Sequence, residues 1–423
     1  MFNLKTSFQS KKSKQYISLF SVNILGIPLA LITSIITTRY LGAQLFGDYN
    51  FVNSIFTFTV VIANLGLFQA GNRALVLCND NKKNREYYGT MFVVGLIITL
   101  VMEFFLLLYV INDSNISEKN LVPIFICVIP FGFIYLANNF YETLLHADNR
   151  ISLLSIIRIF PKLFNLLAVI FVFFFFNNED ISKLLLILYI HIITQLIVFT
   201  YAAYRIKPIF KNIKSNFKTI FKHYKNYGFD IYIGAIVAVG FASLTEILIS
   251  YFSVDNTGVG FYTLAVAFSA PLLMIPSTIA TTNYKEFSTQ IKIPSKLIVS
   301  TTILSILAVV LLWIVVPPFV EFFYGNEMMQ VVEINKIVSI GVFMHGMADF
   351  FNRYLGANGK GKILRNASFI IGFATLGFNL FLIPKFGAVG AAYTKIGSAI
   401  VYLSIMIFSY KMVVRKNMME ITK

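Results

Sequence analysis

Runs of about 20 apolar residues recur along this chain, each long enough to cross a bilayer core of roughly 30 Å at about 1.5 Å per helical residue. This pattern constrains the fold more than any motif. Hydrocarbon offers no water to backbone amides, so a crossing segment must satisfy them within itself, as a helix does. Of the 423 residues, 57% are hydrophobic and 13% charged, against about 25% charged in an ordinary soluble domain. The missing charge is concentrated in the runs, which makes lipid the solvent of this protein. We therefore expect an all-α polytopic membrane protein.

The runs cover about 16–38, 45–70, 88–111, 121–145, 151–176, 184–204, 229–252, 259–281, 297–316, 331–354, 363–383 and 388–412, or about twelve helices. The first is too long for the apolar core of a signal peptide and has no small-residue cleavage site after it. Basic residues sit in alternate connections: Lys5, Lys11, Lys12 and Lys14 first, then Arg73, Lys82, Lys83 and Arg85, then a linker with Lys207, Lys211, Lys214, Lys218 and Lys222. The other connections hold Asp48, Asp113, Glu118, Glu179, Asp180, Asp255, Glu321 and Glu327. The positive-inside rule then puts both termini in the cytoplasm. It also accounts for the net charge of +16 without a nucleic-acid partner. The expected division is a six-helix lobe over 1–204, a basic cytoplasmic linker over 205–228 and a second six-helix lobe over 229–423. Lysines every three to four residues in the linker, with Phe210, Phe217 and Phe221 between them, predict an amphipathic surface helix.

Catalytic chemistry finds little support. Cys78 and Cys127 form no disulfide or metal spacing, the four histidines are scattered, and no nucleophile motif appears, so neither a metal nor a cofactor is expected. Gly356 to Lys362 has the Gly-x4-Gly-Lys core of a phosphate loop, but Ile363 stands where magnesium binding needs Ser or Thr. It reads as a turn between helices.

Two pairs of segments repeat weakly. Gly47-Asp48-Tyr49 matches Gly260-Phe261-Tyr262, and Asn139–Asn149 matches Asp349–Gly359 at nearly the same separation. This predicts two halves in parallel order. In the first half, Thr37–Gly66 reads as a helix, a polar turn with Arg39-Tyr40-Leu41-Gly42, and a second helix. Gly42 and Gly47 are expected to break the helices there. Pro317-Pro318 is expected to end its helix. Pro28, Pro130, Pro161, Pro271 and Pro276 read either as ordinary bends or as hinges.

The Arg-Tyr-Leu-Gly turn followed by Gly-x-Tyr resembles a signature of Wzx-type flippases, the polysaccharide-unit members of the polysaccharide transporter family. Leu382-Ile-Pro-Lys-Phe-Gly-Ala-Val-Gly-Ala-Ala-Tyr393 resembles the turn into their last helix. The resemblance spans nearly the whole chain and extends to a superfamily that includes multidrug exporters and lipid II flippases. It implies two six-helix lobes and a flippase for undecaprenyl-pyrophosphate-linked repeat units of O-antigen or capsule, in a bacterial inner membrane. It also implies membrane lipids as surroundings and the polysaccharide polymerase and chain-length machinery as partners. An ion-coupled exporter of small molecules or drugs is the alternative within the superfamily. A polymerase would need a large outer loop, which the chain lacks.

Ionisable residues inside the runs are costly in lipid and mark cavities or internal pairs. Arg158 and Lys162 lie four apart on one helical stripe, with Asn165 following. Read as cavity cations for a pyrophosphate they are joined by Lys395 and Arg39, with Glu103 and Glu246 as charge partners or ion-coupling residues. Read structurally, the same residues fix helix packing.

Overall fold

The computed structural model describes residues 11–176 and 180–421. Lys5 and Glu179, used above to assign sidedness, lie outside the described residues. Regular structure among the described residues is helical throughout. The helices are α1 (Lys11–Ala63), α2 (Leu67–Val76), α3 (Asn81–Asn112), α4 (Ser114–Glu118), α5 (Val122–Val128), α6 (Phe133–Ala147), α7 (Ile151–Phe175) and α8 (Asp180–Ile206). They continue as α9 (Ile213–His223), α10 (Phe229–Ala235), α11 (Phe241–Tyr251), α12 (Thr257–Ser269), α13 (Met274–Thr282) and α14 (Tyr284–Phe287). The chain closes with α15 (Ser295–Tyr324), α16 (Gln330–Ala357) and α17 (Gly361–Ile421).

Eight stretches are long and apolar enough to cross a membrane, and a ninth is the pair Val122–Phe131 and Phe133–Ala147, bent by 42°. The bend holds Pro130 in a single 3-10 turn, Ile129–Phe131. Two of the stretches, Leu25–Ala63 and Gly361–Met419, have 39 and 59 residues and are too long for one crossing. Each is divided by a glycine whose backbone leaves the helical region, Gly42 (φ 75°, ψ 175°) and Gly387 (φ 54°, ψ −131°). The segment from Phe229 to Tyr251 adds one more, interrupted by a π turn over Ile236–Gly240. The described residues thus hold about twelve crossing segments of roughly bilayer length.

Two expectations about helix ends are corrected. Gly47 does not break its helix; α1 is interrupted at Gly42 alone and continues through Gly47-Asp48-Tyr49. Pro317-Pro318 does not end α15, which runs on to Tyr324. Proline keeps a helical φ, and in a membrane segment the backbone groups it frees can be satisfied by neighbouring groups, so a helix can run through it.

The chain forms two compact units: unit 1 is Met1–Gly42 with Ile55–Ile233, and unit 2 is Ala43–Ser54 with Gly234–Lys423. In unit 1 the buried Phe56 ring stacks on that of half-buried Tyr135 with centroids 4.6 Å apart, and Phe68 meets Phe140 edge-on at 5.5 Å. The Tyr141 hydroxyl donates to the Phe199 carbonyl at 2.8 Å and so ties α6 to α8. In unit 2, Phe287, Phe350, Tyr354, Tyr402 and Met406 belong to one buried cluster. Large apolar side chains on α3, α7 and α15, including Phe105, Phe174 and Leu311, are more than half exposed. On membrane helices this is the lipid-facing surface.

The repeated segments adopt the same turn. After α6, the amides of Asp148, Asn149 and Arg150 donate to the carbonyls of Leu144, His146 and Leu145. After α16, those of Asn358, Gly359 and Lys360 donate to Tyr354, Gly356 and Leu355, the matching positions. Asn149 and Gly359 both take a left-handed conformation, φ 52° and 72°, as residues just past a helix C-terminus commonly do. The other repeated pair meets inside unit 2. A Cβ on Gly260 would lie 3.2 Å from the Gly47 nitrogen, and the Asn256 side chain donates to Asp48 at 2.7 Å. Glycine at both positions allows this close approach of backbones.

Candidate functional site

Arg158 and Lys162 lie one turn apart on α7, in unit 1. The helix begins at Ile151, so at about 1.5 Å per residue they sit about 10 and 17 Å along it. The structure corrects the charge partner expected for this pair. Arg158 is held by Glu142 of α6: Nε donates to Oε1 at 2.8 Å and Nη2 to Oε2 at 2.7 Å. This fork-on-carboxylate geometry is the strongest form of the Arg–carboxylate pair. His146, one turn from Glu142, places Nε2 3.3 Å from Arg158 Nη2.

Antiparallel geometry explains the match. The turn from α6 to α7 is centred on Asn149, and Glu142 and Arg158 lie at similar distances before and after it. Residues equidistant from such a turn face each other at equal depth. Glu142 appears in the sequence only within the repeated Asn139–Asn149 segment. Its distance from the turn was the signal that would have identified it.

The two carboxylates first considered lie elsewhere. Glu103 on α3 sits beside Gly132, at the start of α6; a Cβ there would come within 3.2 Å of its Oε1. Glu246 on α11 belongs to unit 2, where Ser54 donates to Oε2 and Thr263 donates to Oε1 at 3.4 Å.

With Arg158 paired to Glu142, Lys162 is the cation of this hairpin without an ion pair of its own. Among the described residues it makes no ion pair and no hydrogen bond. Its ammonium extends to α1, where a Cβ on Gly26 would sit 3.0 Å from Nζ. Gly26 thus leaves room for the lysine head, two residues before Pro28. Asn165 follows on α7 and is half-buried, and Arg39 is exposed on α1 three residues before the break at Gly42.

Lys395 lies in unit 2 on α17. It lines a cavity of about 280 Å³ with Thr245, Tyr262, His345, Thr394 and Tyr402. Helices α16 and α17 pack closely here because position 341 is glycine: a Cβ would lie 2.8 Å from the Lys395 carbonyl carbon. The Tyr402 hydroxyl donates to Asp349 at 2.7 Å and accepts from Asn352 at 2.8 Å. The His345 ring packs on Tyr402 with centroids 4.8 Å apart. Thr394 is buried and its hydroxyl has no partner among the described residues. The site residues therefore divide between a cationic hairpin in unit 1 and a polar cavity in unit 2. No group of three or more His, Cys, Asp or Glu that could hold a metal ion occurs among the described residues.

A family model described as "Polysaccharide biosynthesis protein" matches residues 13–284. No curated protein matches the sequence. Among solved structures the chain is similar to the lipid II flippase MurJ in an inward closed conformation, with 14% identity, a TM-score of 0.71, and 94% of this chain and 87% of that one covered. It is similar to an inward-facing multidrug resistance MATE family transporter of the MOP superfamily, with 12% identity, a TM-score of 0.67, and 92% and 95% covered. It is also similar to the Vibrio cholerae MATE transporter VcmN, with 15% identity, a TM-score of 0.57, and 96% and 98% covered. At these identities the likeness concerns the fold, which is the two-lobe helical architecture of those transporters.

Proposed function

From the premise that the chain belongs to the polysaccharide biosynthesis protein family, we propose that it is a flippase for undecaprenyl-pyrophosphate-linked oligosaccharide repeat units. It carries them from the cytoplasmic to the outer leaflet of a bacterial inner membrane by alternating access. The product feeds O-antigen or capsule assembly, with the polysaccharide polymerase and chain-length machinery acting next.

The observation that carries this reading is the charge state of the α6–α7 hairpin. A charged, sugar-bearing head group cannot cross roughly 30 Å of hydrocarbon unaided. The lipid tail can stay in the bilayer, so the protein must shelter only the head group. Glu142 holds the Arg158 guanidinium in one orientation and leaves its remaining N–H groups for a ligand. Lys162 supplies a mobile ammonium one turn further along. A fixed fork beside a mobile cation suits a diphosphate, which offers several acceptor oxygens and more than one negative charge. The same arrangement suits a cationic drug poorly. Arg39 and Lys395 are secondary cations for the cargo, and Glu103, Glu246 and Asn165 are candidates for coupling transport to an ion.

Deleting the gene tests the proposal. Lipid-linked repeat units should accumulate on the inner leaflet and surface polysaccharide should disappear, both reversed by the wild-type gene. The likeness to MATE transporters favours one other reading, export of small molecules coupled to an ion gradient. Persistent surface polymer with lost resistance to a cationic dye would decide for the exporter.

A further inference from the structure

Between Tyr204 and Asp230 the chain has seven basic residues, Arg205, Lys207, Lys211, Lys214, Lys218, Lys222 and Lys225, and no acidic one. Within it Phe210, Phe217, Phe221 and Tyr224 are each followed directly by a lysine. Successive residues of a helix are about 100° apart, so an aromatic stripe here runs beside a lysine stripe. Helix α9 displays both. The Phe217 and Phe221 rings stack at 5.9 Å, and Phe221 and Tyr224 at 5.4 Å. Phe217 and Phe221 are 37% and 39% exposed, and Phe210, just before the helix, is 57% exposed.

This exposure is held in place by contacts on a third face of the helix, roughly opposite the lysine stripe. Asn216 and Ile220 are buried. The side-chain amides of Asn212 and Asn216 donate to Glu86 of α3 at 3.3 and 3.5 Å. The Ile209 amide donates to the Arg85 carbonyl at 2.9 Å, and Arg85 Nε donates to the Lys207 carbonyl at 2.6 Å. Gly89 lets the linker backbone approach: a Cβ there would lie 2.2 Å from the Ile209 carbonyl oxygen. These contacts fix the roll of α9 about its axis. They also set its level, because Arg85–Gly89 lies just before the long apolar run of α3.

We propose that α9 is a lipid-surface anchor, its aromatic stripe seated in the headgroup layer of the cytoplasmic leaflet and its lysine stripe binding anionic phospholipid headgroups. An amphipathic helix with aromatics on one face and lysines beside them, free of acidic residues, is complementary to a negatively charged leaflet. The lysine stems lie along the apolar layer while their ammonium groups reach the phosphates. The inference rests on the sidedness drawn from the basic connections and stands apart from the identity of the cargo.

The test uses the full chain reconstituted in vesicles. The protein has a single tryptophan, Trp313, so Phe217→Trp with Trp313→Phe places one reporter on the exposed stripe. In vesicles containing phosphatidylglycerol, its emission should be blue-shifted, quenched by lipids brominated near the headgroup, and protected from iodide. In phosphatidylcholine alone, or at about 1 M salt where the Debye length is about 3 Å, quenching by brominated lipid should fall at least about twofold. The triple change Lys214→Gln, Lys218→Gln, Lys222→Gln should remove the difference between the two lipids. Equal quenching in both lipids, or a reporter open to iodide in the anionic vesicles, would overturn the proposal. Native mass spectrometry of the unaltered chain and the lysine triple gives an independent reading: the unaltered chain should retain more phosphatidylglycerol, and equal retention would overturn the proposal too.

Discussion

The Gly47 backbone touches that of Asn256: a Cβ on Gly47 would sit 1.9 Å from the Asn256 carbonyl oxygen. Both residues are buried in unit 2, beside the hydrogen bond from Asn256 to Asp48. Gly47→Ala should therefore push the helices apart, at a cost of about 1–3 kcal/mol. Gly377, on α17 with nothing near its Cβ position, is the control. Gly377→Ala should be neutral or stabilise by roughly 0.5–1 kcal/mol. Thermal unfolding in detergent followed by size-exclusion chromatography reads both, and a Gly47→Ala profile equal to wild type would refute the close contact.

The α6–α7 hairpin separates structural from transport roles. Lys162→Ala should keep expression and thermostability near wild type and lower surface polysaccharide at least about tenfold, the effect expected of losing a charge-assisted contact to the cargo. Lys162→Arg and Arg158→Lys should fold and transport less well. Glu142→Gln should reduce thermostability more than any change at Lys162, because it leaves Arg158 without its carboxylate. The pair is roughly a third exposed, so the loss should stay modest. Normal surface polysaccharide in the Arg158→Ala, Lys162→Ala double variant would remove these two residues from the transport path.

Tyr402 bridges Asn352 and Asp349 through its hydroxyl. Tyr402→Phe removes that bridge and leaves Asp349 without the donor, at about 1–3 kcal/mol. Adding Asp349→Ala to Tyr402→Phe should cost less than the two separate changes together, since each removes the same bond. A double-variant cycle on thermal stability measures this, and strict additivity would contradict the bond.

Reporter fusions test the sidedness implied by the alternating basic connections. Fusions after Asp113 and Asp255 should report the outer face, and fusions after Lys83 and Lys214 the cytoplasm. A cytoplasmic signal after Asp255 would contradict two six-helix lobes in parallel order.

The crossing segments were legible because hydrocarbon imposes a single length and a single composition on them. The glycine at position 42 was legible for a related reason: a backbone angle that only glycine takes without strain leaves its mark on the residue type. Gly47 has the same residue type but a different cause. It serves a neighbouring backbone, and residue type alone does not distinguish room for a contact from freedom to turn. The Pro317-Pro318 expectation failed because proline's cost counts lost hydrogen bonds, whereas its φ remains helical. Glu142 is not marked by charge or composition as a partner of Arg158; its pairing follows from distance to the intervening turn, which the charges near the middle of the runs do not encode. The linker helix was visible from its lysine spacing. The face it turns inward was not, because Asn212 and Asn216 acquire their role only from Glu86, more than a hundred residues earlier.

The Arg158–Glu142 pair also bears on how the chain enters the membrane during synthesis. A lone arginine within a segment costs up to about 2.5–3.5 kcal/mol on an insertion scale, the figure for the segment's centre. When α7 leaves the ribosome, α6 has already been made and carries a carboxylate at matching depth across a short turn. Delivered together, the two segments contribute no net charge from this pair. Segment α5–α6 is bent at Pro130 and α7 carries Pro161 within its helix, so neither is an ideal independent insert. Insertion of α6 and α7 as one hairpin would spare lipid the isolated charge, and Glu142→Gln should then lower the yield of inserted chain before any cargo arrives.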